Sequence, residues 1–162
     1  MQGVINPSLQ FDGVELDMVC SYPHLGLILN EKTNWEDHIN QAITKANKKM
    51  GLMWKLNNND LPRYVIENIY TSYIRPQLEY VAVLYHTCTK DQAHRLETCQ
   101  RRAAIVCTRA PRRTNTGRPL AELGWCNLRD RRVYFSQTLL YKMVNGQIAA
   151  YLISTQYKLY NH

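Results

Sequence analysis

What this chain lacks closes off several classes of protein. It has no window of about 18 consecutive apolar residues, so the sequence offers no membrane span. The start, Met1-Gln2-Gly3-Val4-Ile5-Asn6-Pro7, has neither the basic nor the apolar region of a signal peptide. There is no Cys-x-x-Cys pair: Cys20, Cys88, Cys99, Cys107 and Cys126 are scattered and odd in number. That pattern argues against a disulfide framework and for thiols buried in a reduced compartment. Cys88, His94, Cys99 and Cys107 are spaced like no standard zinc finger or ribbon. The expectation is an intracellular protein, nuclear or cytoplasmic, that is not secreted and has no membrane partner.

Catalytic signatures are missing too. No Gly-rich phosphate loop, Gly-x-Ser-x-Gly elbow or His-Glu-x-x-His pair occurs. Two-metal phosphoryl transfer needs carboxylates gathered around shared ions. The only adjacent acids, Glu36-Asp37, suit the positive end of a helix dipole instead. No catalytic residue, metal ligand or cofactor is therefore assigned to this chain, and on its own it is not expected to be an enzyme.

Lysine is absent where basic residues are densest. From Arg95 to Arg132 there are ten arginines, no lysine and three acids (Glu97, Glu122, Asp130). That local balance of +7 equals the formal net charge of the whole chain. Residues 1–60 carry five basic and seven acidic side chains, whereas residues 61–162 carry fifteen and six. The planar, always-charged guanidinium suits bidentate grip of phosphate, while merely solvated surfaces usually share the work with lysine. A polyanion-facing surface, most simply for nucleic acid, is the functional expectation.

The apolar content of 45% allows a sizeable core. Residues 1–30 have an extended character, with Asp12-Gly13 as a hairpin signal and Ser21-Tyr22-Pro23 as a break before a strand over Leu25–Leu29. Thr33-Asn34-Trp35-Glu36 has the form of a capping box. After it, Trp35, Ile39, Ala42, Ile43, Ala46, Met50, Met53 and Trp54 recur at helical spacing. A second helix starts near Pro62, and Arg75-Pro76 is expected to separate it from a third over Leu78–Tyr85. Thr89-Lys90-Asp91-Gln92 is a second box, opening a helix on which Glu97 and Arg101 stand at pairing distance. A loop over residues 109–119, a short turn before Gly124 and a last helix from Asn127 to near Gly146 complete the pattern. The apolar stripe of that last helix is Leu128, Phe135, Leu139, Leu140, Met143 and Val144. Tyr70, Tyr73, Tyr80 and Tyr85 recur at helical intervals and are expected to pack rather than stack on bases.

Several of these stretches, in this order, resemble the downstream reverse-transcriptase region of LINE-type, jockey-like non-LTR retrotransposons. They are His24-Leu25-Gly26-Leu27-Ile28-Leu29, Trp35-Glu36-Asp37-His38-Ile39, Ile69-Tyr70-Thr71-Ser72-Tyr73-Ile74-Arg75-Pro76-Gln77-Leu78-Glu79-Tyr80, Leu96-Glu97-Thr98-Cys99-Gln100-Arg101-Arg102-Ala103-Ala104 and Leu123-Gly124-Trp125-Cys126-Asn127-Leu128-Arg129-Asp130-Arg131-Arg132. Leu140-Tyr141-Lys142-Met143-Val144-Asn145-Gly146, and Tyr151-Leu152 beyond it, fit as well. The resemblance covers residues 4–152. It implies that Asn6-Pro7-Ser8 ends a palm segment, that His24, Leu25 and Gly26 stand at the primer grip, and that the helices form the thumb and the region after it. Leu9 stands where the family usually has lysine, and Pro23 where a basic residue is common. The aspartates that hold magnesium in the intact family enzyme have no counterpart here.

The expected fold is therefore α+β and mainly α: short N-terminal β-hairpin or edge strands, then a bundle of about five to six helices. Residues 1–30 would be the β segment, 31–152 the helical region and 153–162 a tail. The implied function is that of a truncated fragment of an RNA-directed DNA polymerase, without its catalytic palm, holding an RNA–DNA hybrid or RNA. Arg101, Arg102, Arg112, Arg113, Arg131 and Arg132 are the expected phosphate contacts. The alternatives are a helical protein-interaction module, with arginines facing an acidic partner, and a domesticated fragment with no selected function.

Overall fold

A computed structural model describes residues 10–32, 34–59, 61–111, 114 and 117–148. It is mainly helical with a small β portion, the expected α+β class. The strands form two separate antiparallel hairpins rather than one sheet. Asp12-Gly13 turns β1 (Gln10–Phe11) into β2 (Val14–Glu15), as the turn signal predicts. The second hairpin differs from expectation. Ser21-Tyr22-Pro23 is not a break but most of β3 (Ser21–His24), and Leu25-Gly26 is the turn into β4 (Leu27–Asn30). A two-stranded ribbon has only edges, so Pro23 can sit in β3, where an interior strand would miss its N–H. Both turn residues have positive φ, Leu25 at 48° and Gly26 at 81°, the pattern of the tight turns that match strand twist.

The first long helix, α1 (Glu36–Asn57), presents Ile39, Ala42, Ala46, Met50 and Met53 to the core at the predicted period. Its start is where the capping box from Thr33 to Glu36 is expected. Thr33 lies outside the described residues, the N-cap position is Trp35, and Asn34 Oδ1 accepts from Glu36 N (3.1 Å). The Glu36 carboxylate points across to Arg95 (2.6 Å), Gln92 (3.1 Å) and Asn40 (3.0 Å). Hydrogen bonding, from Gln92 first, holds Glu36 below its ordinary pKa.

Pro76 does not split the next helix in two. α2 (Arg63–Ile69) passes through a π-helical turn (Tyr70–Ile74) into α3 (Arg75–Glu79), where Pro76 lies in the first turn. The wider turn, closed by Arg75 N to Tyr70 O, is how a helix absorbs a missing N–H and a ring clash without ending. Ile66, Tyr70, Ile74 and Leu78 then stay on one buried face. The expected helix over Leu78–Tyr85 stops instead at Glu79. Val81, at φ 54°, turns the chain so that Ala82 and Tyr85 re-enter the core.

α4 (Lys90–Thr108) opens with the predicted box: Gln92 N donates to Thr89 Oγ1 (3.2 Å) and Thr89 N to Gln92 Oε1 (2.9 Å). Leu96, Cys99, Ala103, Val106 and Cys107 pack it against α1 and α2. After α5 (Gly117–Glu122), α6 (Leu128–Val144) starts at Asn127 as expected. Its apolar stripe is only partly used. Leu128 is buried and Phe135 packs on the core, but Leu139, Leu140 and Val144 face solvent. Tyr70 and Tyr85 are buried and Tyr73 and Tyr80 exposed, so only two of the four tyrosines pack in the core.

Two buried polar groups organise the interior. Tyr70 Oη donates to Gln100 Oε1 (2.8 Å), Gln100 Nε2 donates to Cys126 O (2.8 Å), and the Tyr70 ring stacks on Trp125 at 4.2 Å. Burial pushes the Tyr70 pKa far above its usual value, so this hydroxyl remains a donor. His38, 3% exposed, packs on Tyr85 at 5.6 Å with both ring nitrogens lacking hydrogen-bond partners. Burial lowers its pKa from 6.5; the Tyr80 backbone beside the ring opposes the shift without reaching hydrogen-bond geometry.

Tyr70→Phe is expected to cost about 1–3 kcal/mol in chemical denaturation, because it leaves Gln100 Oε1 buried and unpaired. A histidine whose folded pKa is depressed is protonated more readily in the unfolded chain. Its stabilising contribution is thus complete above 6.5 and is lost as the pH falls through the lower folded value. Stability measured across that acidic window is expected to fall in the parent chain and to fall less steeply in His38→Leu.

Candidate nucleic-acid interface

The three residues expected at the primer grip lie at the tip of the second hairpin. His24 ends β3 and pairs with Leu27, while Leu25 is 81% exposed. The tip is fastened to the helical body, since Tyr80 Oη donates to Leu25 O. A Cβ on Gly26 would stand 3.2 Å from Tyr80 Cε1, so glycine here provides both the positive φ and the clearance for the tyrosine ring. Leu27, the first residue of β4, is buried, and β4 lies along α1. The Leu-Gly pair thus has a structural role whatever the tip contacts. Its partner, Tyr80, lies 55 residues away, and no local pattern points to it.

The expected arginine contacts divide into different environments. Arg101 and Arg102 are neighbours on α4, and Arg131 and Arg132 on α6, two helices that pack together. Arg102 is exposed beside a recess lined by Met50, Trp54 and Ile105. Arg101 is half-buried, and its Nε finds no hydrogen-bond partner. The Glu97–Arg101 pair allowed by helical spacing is not made. Glu97 Oε1 instead accepts from Arg129 N at 2.8 Å, at the start of α6. Arg112 and Arg113 lie outside the described residues.

Arg131 is committed to the protein. It bonds Glu79 through Nε and Nη2, the latter at 3.0 Å, and its guanidinium lies 5.3 Å from the centre of the Phe135 ring. Glu79 is itself 11% exposed on its side chain, and Arg75 lies 3.7 Å away. Glu79 accordingly raises the Arg131 pKa. Arg132 is buried more deeply, 3% exposed, with its guanidinium 5.9 Å from the Tyr85 ring centre and its Nη1 unpartnered. Other arginines are also tied down: Arg63 to Glu67 and Glu122, and Arg95 to Glu36 and Asn40. Arg109, Arg118 and Arg129 are exposed beside them. Arg129 falls inside the Arg129-Asp130-Arg131-Arg132 cluster but outside the expected contacts. Its helical position, one residue past buried Leu128, is the signal that could have found it.

Two of the thiols are held in the unreactive protonated form. Cys99 and Cys107 are buried and pushed up, by that burial, to about 11 and about 12. Among the described residues no three His, Cys, Asp or Glu side chains converge as a metal site, and no helix is long and apolar enough to cross a membrane. Compared with protein-family models, with curated proteins and with solved structures, the chain matches none.

Arg131→Ala is expected to lower stability by about 1–3 kcal/mol, since it strips a largely buried carboxylate of its better partner. Arg102→Ala, at an exposed position, is expected to change it by less than about 0.5 kcal/mol. Urea melts of the two variants check the difference.

Proposed function

We propose that this chain is the primer-grip, thumb and post-thumb region of a non-LTR retrotransposon RNA-directed DNA polymerase. In this reading it holds the template–primer duplex through its phosphates and performs no chemistry itself. The observation that carries the reading is the lysine-free arginine belt from Arg95 to Arg132, together with the ordered family-like stretches around it. Phosphate contacts position a duplex without reading its sequence, which is what a polymerase needs from the part that follows its catalytic site. Arg101, Arg102, Arg112 and Arg113 are the main contacts. Arg131, bound to Glu79, acts mainly by fixing α6, and Arg132 contributes charge from below the surface.

Equilibrium binding to an RNA–DNA hybrid across salt concentrations tests this. Measurable binding at ~50 mM salt is expected, with log K falling linearly in log salt by about 0.9 per phosphate contacted. Arg102→Ala should shallow that slope by about 1, equally for unrelated sequences. The absence of binding at ~50 mM salt, or an unchanged slope when Arg101, Arg102, Arg112 and Arg113 all become alanine, would sink the proposal.

One observation favours the second reading, a helical protein-interaction module. Tyr134, Leu140, Tyr141 and Val144 on α6 are all more than 60% exposed. A partner that stays bound through α6 after nuclease treatment, and is lost in Leu140→Glu, would support that reading over the first.

A further inference from the structure

Between the N-terminal two-thirds of α4, the start of α5, the first turns of α6 and the segment over residues 86–90 lies a cleft of about 810 Å³. Its wall includes Lys90, Arg101, Arg129 and Arg132, faced by Glu97 and Asp130. Among the described lining residues, four cations against two carboxylates leave a balance of +2. Both acids are already engaged: Glu97 accepts from Arg129 N (2.8 Å) and Asp130 from Asn127 Nδ2 (3.2 Å). Meanwhile two buried guanidinium donors, Arg101 Nε and Arg132 Nη1, have no hydrogen-bond partner among the described residues. A buried cation normally acquires a counter-charge and a full set of acceptors, because removing it from water without them is costly. The Tyr85 ring offers Arg132 only a weak cation–π contact at 5.9 Å.

We propose that this cleft is a seat for a terminal phosphate monoester, the 5′-phosphate of a nucleic-acid strand. A monoester phosphate carries about −1.5 to −2 charge near neutral pH, which matches the cleft, whereas each bridging phosphate of a strand carries −1. Its three terminal oxygens can accept from two guanidinium groups at once, and arginine forks suit that geometry. A bridging phosphate has two free oxygens and a chain on either side, which keeps it from a donor as deep as that of Arg132. A strand end has one free side and can enter. Both donors are buried, so seating it requires the Arg101 and Arg132 guanidinium groups to turn towards the cleft. This inference rests on the nucleic-acid reading above only for what bears the phosphate; the seat itself rests on the cleft.

Arginine side-chain ¹⁵N–¹H signals of the full chain report directly on the two orphaned groups. Inorganic phosphate is expected to shift the Arg101 Nε–H signal saturably, at constant ionic strength. A short oligonucleotide with a 5′-phosphate should bind at least ~10-fold tighter than the same strand with a 5′-hydroxyl, the equivalent of one charge-assisted hydrogen bond. That preference should vanish in Arg132→Lys. It should also vanish in Arg129→Glu, an exposed change that keeps the proposal testable if the buried one unfolds the protein. Lys55→Ala, which removes a charge away from the cleft lining, should keep it. No saturable shift, equal affinity for the two strand ends, or a phosphoserine peptide binding more tightly than the phosphorylated strand would each overturn the proposal. Salt-dependent hybrid binding without a 5′-phosphate preference overturns the seat alone. A 5′-phosphate preference without hybrid binding supports the seat and overturns the duplex grip.

Discussion

The carboxylate of Glu79 holds α6 where the rest of the structure needs it. α6 contributes one fully buried apolar side chain, Leu128, and the partly buried Phe135, so hydrophobic burial alone attaches it weakly. Glu79 stands at the end of α3 and takes two hydrogen bonds from Arg131, with Arg75 close on its other side. Two further ties act at the same end of α6: Glu97 accepts from the Arg129 backbone, and Gln100 donates to the Cys126 carbonyl. All three lie within the first turn of α6 or just before it. Among the described residues, the far half of the helix, with exposed Leu140 and Val144, has no comparable fastening.

That anchoring sets the character of the arginine surface. With Arg131 turned to Glu79, the next residue is carried inward, and Arg132 comes to rest over Tyr85, whose other neighbour is His38. The three side chains connect the end of α6 to the interior face of α1. Tyr85 can serve there because its hydroxyl donates to Leu78 O, and because Val81 adopts a positive φ that returns the chain to the core after α3 ends. The belt is therefore not a uniform basic face. It includes an ion pair that fixes a helix, a buried cation beside a cleft, and exposed positions such as Arg102 and Arg129. Among the described residues, that last group is the one open to phosphate without rearrangement.

Local chemistry was the legible part. The Thr89–Gln92 box, the Asp12-Gly13 turn, the period of α1 and the Asn127 start of α6 each depend on residues within a turn or two of one another, and each stands where its pattern places it. Pro76 misled because a π-helical turn absorbs what a regular helix cannot. Leu25-Gly26 looked like strand because Leu25 runs on into apolar Leu27-Ile28-Leu29. Its turn is shaped by positive φ and by Tyr80, which approaches from a distant segment. The division of the arginines was hidden for the same reason. The nearby partner, Glu97 for Arg101, is not used, and the partner that matters, Glu79 for Arg131, lies 52 residues away. Charge density showed that a polyanion surface is possible; only the packing of α3, α4 and α6 shows which charges remain to make it.

The central claim is this division of the belt, and arginine-selective chemical modification read out by mass spectrometry tests it most directly. With the protein saturated by RNA–DNA hybrid at low salt, Arg101, Arg102, Arg112 and Arg113 should become protected. Arg131, already bound to Glu79, should react slowly whether or not hybrid is present. Protection confined to Arg131, or a hybrid that protects none of the other four, would contradict the account.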